Sequence, residues 1–100
     1  MSGNFSKIVA YVGFAIKSKN IIFGVDDIIT SKRVKIILLS DSLACSSRSK
    51  IESYAKQKNI VVKNFETEVF NEIINNQNIK AAAITNESLA DAINKSLANS

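Results

Sequence analysis

The sequence predicts an α/β protein, a three-layer α/β/α sandwich around a four-stranded mixed sheet. Three observations lead there. Ile36-Ile37-Leu38-Leu39 is a continuous aliphatic run without polar alternation, too short for a buried helix, and therefore a strand covered on both faces. Between Val34 and Val62 that run is followed by turn residues, a helical pattern and a second β-branched run, Ile60-Val61-Val62, which makes a βαβ unit with parallel strands. Along the rest of the chain short apolar runs alternate with amphipathic stretches, and these supply the two outer layers.

Taken in order, Phe5, Ile8, Val9, Val12 and Ile16 recur at helical spacing, with Ser2 or Asn4 as the cap. Gly13 interrupts that pattern at a cost of about 1 kcal/mol relative to Ala, which implies a backbone packed closely against the helix there. Lys17-Ser18-Lys19-Asn20 ends the helix and Ile21–Phe23 forms a short strand. Gly24 opens a two-turn helix over residues 25–31, with Asp26 and Asp27 in the first turn, where carboxylates favour the positive end of the helix dipole. The strand Ile36–Ser40 ends in Asp41 and Ser42, and Ser46 or Ser47 caps a helix that carries Ile51, Tyr54 and Ala55 and closes at Asn59. After the strand Ile60–Val62, Thr67 caps a helix with Val69, Phe70, Ile73 and Ile74 on one face, and Asn75 begins its polar stop. Lys80–Ile84 is a strand of small residues, assigned by context because Ala is a poor strand former. Thr85-Asn86 caps the last helix, with Leu89, Ala90, Ile93 and Leu97 along one stripe.

Composition narrows the function. The 100 residues suit one domain with little stability in reserve. The chain is 46% hydrophobic and 22% charged, and no apolar run is long enough to span a membrane. Met1 to Lys7 does not read as a secretory signal, and the lone Cys45 excludes an internal disulfide; both fit the cytoplasm. Pro is absent, and Asn, Ile and Lys are abundant, a composition that fits an AT-rich coding sequence. Net charge is +4, and its distribution is uneven: residues 1–50 carry +5 and residues 51–100 carry −1. Such a bias points to a polyanionic partner, most often nucleic acid, against the plainer reading of a solvated basic surface.

Catalytic signatures are weak. Asp26, Asp27 and Asp41 follow strands, where α/β sheets place ligands, but acids in a first helical turn are most often dipole partners. Ser47-Arg48-Ser49-Lys50 has a Ser-x-x-Lys spacing without its companion motifs, and the chain has no His to activate Cys45. No Gly-rich phosphate loop, dinucleotide fingerprint or paired metal-ligand motif is present. The sequence therefore predicts a protein that is not an enzyme and uses no cofactor, metal or small-molecule substrate.

From Val12-Gly13-Phe14-Ala15 through Lys17 to Gly24, the chain resembles the bacterial YlxQ-like branch of the L-seven-Ae/L-thirty-e ribosomal protein family. Ile36 to Ser42 resembles that family's central strand and exit loop, residues 47–62 its next helix and strand, and Ala81 to Asn86 its closing strand and turn, all in matching order over residues 5–97. The resemblance implies a cytoplasmic binder of structured RNA, typically a kink-turn, with the ribosome or a protein as a further partner. It also implies the contacts: the Gly that opens the second helix, an Asn-Glu pair after it, a Lys one turn on, and a hydrophobic turn before the last helix that packs on extruded bases. Gly24 matches; Asp26 and Asp27 stand where Asn and Glu would be, Thr30 stands where the Lys would be, and the span to the central strand is about one helical turn shorter. An ionised Asp only accepts hydrogen bonds and repels phosphate, and losing the Lys removes a phosphate contact. The expected interface is thus Lys17, Lys19, Gly24, Asp26, Asp27, Thr30, Lys32, Arg33, Lys35 and the Ile84-Thr85-Asn86 turn, gathered on one end of the molecule. The alternative is a protein-interaction module on the same fold that has lost the RNA-reading residues.

Overall fold

Helices and strands alternate along the computed structural model, which describes residues 3–76 and 78–98 and the side chains of 6–76 and 78–97. The order is α1 (Gly3–Lys17), β1 (Ile21–Phe23), α2 (Val25–Thr30), β2 (Ile36–Ser40), α3 (Cys45–Lys58), β3 (Val61–Phe65), α4 (Thr67–Ile74), β4 (Ala81–Ile84) and α5 (Glu87–Ala98). The strands lie side by side as β1-β4-β2-β3. β2 and β3 are parallel, with Ile36 opposite Val61 and Ser40 opposite Phe65. β4 runs antiparallel to both its neighbours, so Ile84 faces Ile21 on one side and Ile36 on the other. The sheet is therefore mixed, and β1, β2 and β3 all point the same way.

Two cores follow from the period-2 alternation of the central strands. Ile36, Leu38, Ala82 and Ile84 point into one, which α1, α4 and α5 cover with Ile8, Val12, Ala15, Phe70, Ile73, Ile74, Ala90 and Ile93. Ile37, Leu39, Ala81 and Ala83 point into the other, which α2 and α3 cover with Ile28, Ile51 and Ala55. The α/β/α sandwich is thus the observed architecture. β2 and β4 are buried along their whole length. Alanine suffices in β4 because hydrogen-bonded neighbours on both sides hold the strand where propensity does not.

Several boundaries differ from the sequence reading. β3 begins at Val61 and reaches Phe65; it is an edge strand, and the polar Lys63 and Asn64 on it had looked like a connection. β4 starts at Ala81, one residue after Lys80. α3 starts at Cys45 after Ala44, without a side-chain cap, so neither Ser46 nor Ser47 is the N-cap. Thr67 is the first residue of α4, and Glu66 occupies the cap position. Asn4 lies inside α1, Ser2 lies outside the described residues, and the Phe5 side chain is likewise outside them. The close backbone approach expected at Gly13 is absent, since a Cβ there would meet no atom within 4 Å. Other local expectations hold: Asn59 and Asn75 adopt left-handed C-caps, and the Asn86 side chain accepts the Leu89 N–H at 3.0 Å as the cap of α5.

Candidate nucleic-acid interface

Strand direction decides which connections share an end. At the leading end β1, β2 and β3 begin and β4 finishes. The α1–β1 turn meets the β4–α5 turn there, with the Thr85 N–H donating to the Asn20 carbonyl at 2.9 Å. The Lys35 N–H donates to the Ile84 carbonyl at 2.8 Å, which ties the α2–β2 connection to the same place. Tyr54, on α3, donates its hydroxyl to the Ser31 carbonyl at 2.6 Å, and the Ser31 hydroxyl accepts the Arg33 N–H at 3.1 Å. The loop that carries Lys32 and Arg33 is therefore anchored rather than free. α3 also finishes at this end, where the Ile60 N–H donates to the Ala55 carbonyl at 2.9 Å just before β3.

These connections bring Lys17, Lys19, Lys32, Arg33, Lys35, Lys56 and Lys58 to the leading end, all of them exposed. Among the described residues the one ion pair within 4 Å joins Lys95 to Asp91, an exposed contact that contributes little. None of the basic groups at the leading end therefore has a carboxylate of the described residues within 4 Å. The starts of β1 and β3 are three strand steps, about 14 Å, apart, and the connections that carry Lys19, Lys35 and Lys58 enter the sheet along that row. Beside the row, between β2–β3 and α5, an open groove of about 610 Å³ is lined by Lys35 and Val61 on one side and Glu87 and Asp91 on the other. Its acidic wall bounds the basic surface.

The trailing end is different. Gly24 lies there, with its N–H donating to the Ala81 carbonyl at 3.1 Å and a backbone φ of +94°, which favours glycine. Asp26, Asp27, Asp41, Glu66 and Glu68 surround the starts of α2, α3 and α4. Arg48 donates to the Ser40 carbonyl at 2.8 Å and to the Asn64 side chain, and Lys80 donates to the Ser42 hydroxyl at 3.3 Å. No group of His, Cys, Asp or Glu among the described residues is arranged to hold a metal ion.

The expected single surface is therefore divided. Lys17, Lys19, Lys32, Arg33 and Lys35 come together with Thr85 and Asn86, whereas Gly24, Asp26 and Asp27 are at the other end. The reason is the antiparallel course of β4, which puts its start, not its finish, beside Gly24. Thr30 ends α2 and donates its hydroxyl to the Asp26 carbonyl at 2.9 Å, a bond inside its own helix. Ile84 is fully buried and cannot pack on a base, and the Asn86 amide oxygen is engaged in capping. Lys56 and Lys58 join the cluster without having been singled out in the sequence. The signal for them was topological, because in a βαβ unit the last turn of the helix lies beside the start of the first strand.

No family model and no curated protein matches the chain. Among solved structures, it superposes on a protein of unknown function from Bacillus halodurans C with a TM-score of 0.82, over 92% of this chain and 97% of that one, at 12% identity. The two share a fold. Among the described residues no helix is long and apolar enough to cross a membrane.

Proposed function

We propose that this chain is a non-enzymatic, cytoplasmic RNA-binding module that grips the phosphates of a structured RNA with the leading end of its sheet. The observation that carries this reading is the convergence of Lys17, Lys19, Lys32, Arg33, Lys35, Lys56 and Lys58 on one end, none of them in an ion pair with a described residue. Phosphate contacts of Lys and Arg release counterions and supply sequence-independent affinity. The ordered resemblance to the ribosomal protein family supports RNA, and ribosomal RNA in particular, as the polyanion. Because Gly24 and the Ile84–Asn86 turn are at opposite ends, contact through the basic row replaces the kink-turn contacts that the resemblance implies.

Filter binding at about 50 mM salt tests the proposal, with a ribosomal RNA fragment, a kink-turn oligonucleotide and a plain duplex as ligands. The expected result is binding to all three, weakening steeply with salt and discriminating little between kink-turn and duplex. Protein that ignores all three would remove the RNA reading and leave a protein-interaction module on this fold.

A further inference from the structure

We infer that Phe14 is a stacking platform for an unpaired base, so that the RNA taken by the leading end is one with a loop, bulge or single-stranded end beside its helical part. This inference rests on the reading of the basic end as an RNA site and names what that site distinguishes. Among the described large apolar side chains Phe14 is the most exposed, at 59% against 41% for Val61 and 39% for Ile16. It projects from α1 away from the stripe formed by Ile8, Val12 and Ala15, all of which are buried.

The backbone that carries it is held in place. The Phe14 carbonyl accepts both the N–H and the hydroxyl of Ser18, at 2.9 and 2.8 Å. Ser18 in turn accepts the Asn20 side-chain amide at 2.9 Å, and the Asn20 carbonyl accepts the Thr85 N–H. Phe14 is thus held at the α1 edge of the basic row, with Lys17 one turn further along the helix and Lys19 in the following turn. Its helix neighbours leave the approach clear: Ala10, one turn back, is small and exposed, and nothing lies within 4 Å of the Cβ position at Gly13.

A single exposed aromatic ring needs no explanation in itself. Here it borders a row of unpaired cations, the combination by which proteins hold single-stranded nucleic acid: a base stacks on the ring while the flanking phosphates meet Lys or Arg. Ile84, the apolar residue expected to meet a base, is buried and leaves that role vacant at this end. A two-fold contact between copies of the chain fits the same surface poorly, since Lys17 and Lys19 beside Phe14 in sequence would meet their like.

The test compares a hairpin with an unpaired loop against a blunt duplex of the same stem, by fluorescence anisotropy at about 50 mM salt. Phe14→Ala should weaken hairpin binding by about 5- to 150-fold and leave duplex binding and the salt slope unchanged. Phe14→Leu, which keeps apolar area but has no π-face, should behave as Phe14→Ala. The natural chain has no Trp, so Phe14→Trp installs a unique fluorophore that should retain affinity and be quenched by the hairpin. Thermal melts confirm that these exposed-site variants fold. Equal effects of Phe14→Ala on hairpin and duplex, no effect on either, or Phe14→Trp emission unchanged at saturating hairpin would each overturn the stacking role while RNA binding stands. Wild-type protein that binds neither RNA would overturn both.

Discussion

Replacing Lys32 and Arg33 together by Gln removes two charges from the leading end and leaves the loop that presents them in place. The Ser31 carbonyl still receives the Tyr54 hydroxyl, and the Ser31 hydroxyl still receives the backbone N–H of residue 33. Both side chains are exposed and unpaired, so stability should change by less than about 0.5 kcal/mol. The effect on binding follows from counterion release. Each phosphate contact adds about 0.7 to 0.9 to the slope of log affinity against log salt, so the double variant should flatten that slope by roughly 1.4 to 1.8. Over a fourfold rise in salt, from about 50 to 200 mM, each contact loses about threefold in affinity. The gap between wild type and variant should therefore narrow about tenfold across that range. The assay is filter binding at four or more salt concentrations with a hairpin and a duplex, and Lys80→Gln at the trailing end serves as a control that removes one positive charge from the opposite end. Parallel salt lines for wild type and the double variant would refute the reasoning, as would an equal flattening by Lys80→Gln.

Gly13→Ala should stabilise the protein by about 0.4 to 1 kcal/mol, read as a rise of about 2 to 8 °C in a thermal melt, because the site is helical and open to a Cβ. Asn86→Ala should lower stability by about 1 kcal/mol in urea unfolding, through loss of the bond from the Leu89 N–H. Tyr54→Phe should cost about 0.5 to 1.5 kcal/mol and weaken RNA binding without changing any charge, since Tyr54 anchors the loop of Lys32 and Arg33; unchanged affinity would show that the loop needs no anchor. Asp26→Asn should leave the ratio of kink-turn to duplex affinity unchanged, because Asp26 lies at the end remote from the cations; a tightened kink-turn complex would restore the Gly24 end as the reading surface.

The layers were legible in the sequence because burial imposes a pattern. Ile36 to Leu39 is apolar without interruption because helices cover both faces of β2, and Ile8, Val9 and Val12 of the α1 stripe face the core, whereas Ile16 is exposed and Ala15 is the buried residue at that end of the helix. The helix stops at Asn59 and Asn75 were legible because Asn tolerates a left-handed cap better than most residues, whereas the same backbone at Lys19 carries no such signal. What escaped was direction and register. A run of three alanines states no orientation, so nothing local revealed that β4 is antiparallel and brings its start to Gly24. The site suffered most, since residues distant in the chain are assembled by that choice. Phe14 had been absorbed into a motif by resemblance, although it sat off the apolar stripe of its own helix. An apolar residue that breaks the stripe was the available signal.

The separation of charge between the two ends has a structural component that accounts for part of it. Lys17, Lys56 and Lys58 occupy the last turns of α1 and α3, and Asp26, Asp27 and Glu68 the first turns of α2 and α4, each where the helix dipole favours its sign by about 0.3 to 1 kcal/mol. α5 follows the antiparallel β4 and so starts at the leading end, and it carries Glu87 in its first turn, as the same rule requires. Stability alone would therefore make the leading end basic around α1 and α3 and acidic around α5. The same rule extends to Lys19, the left-handed residue that closes α1, and to Lys32, which follows the Ser31 C-cap of α2; it reaches Arg33 and Lys35 least. Among the described residues none of Lys19, Lys32, Arg33 and Lys35 has a carboxylate within 4 Å. Gathering them at one end works against the fold by mutual repulsion, which a bound polyanion would offset. The charge that the helix ends explain least, at Arg33 and Lys35, is the charge that the proposed RNA contact would use.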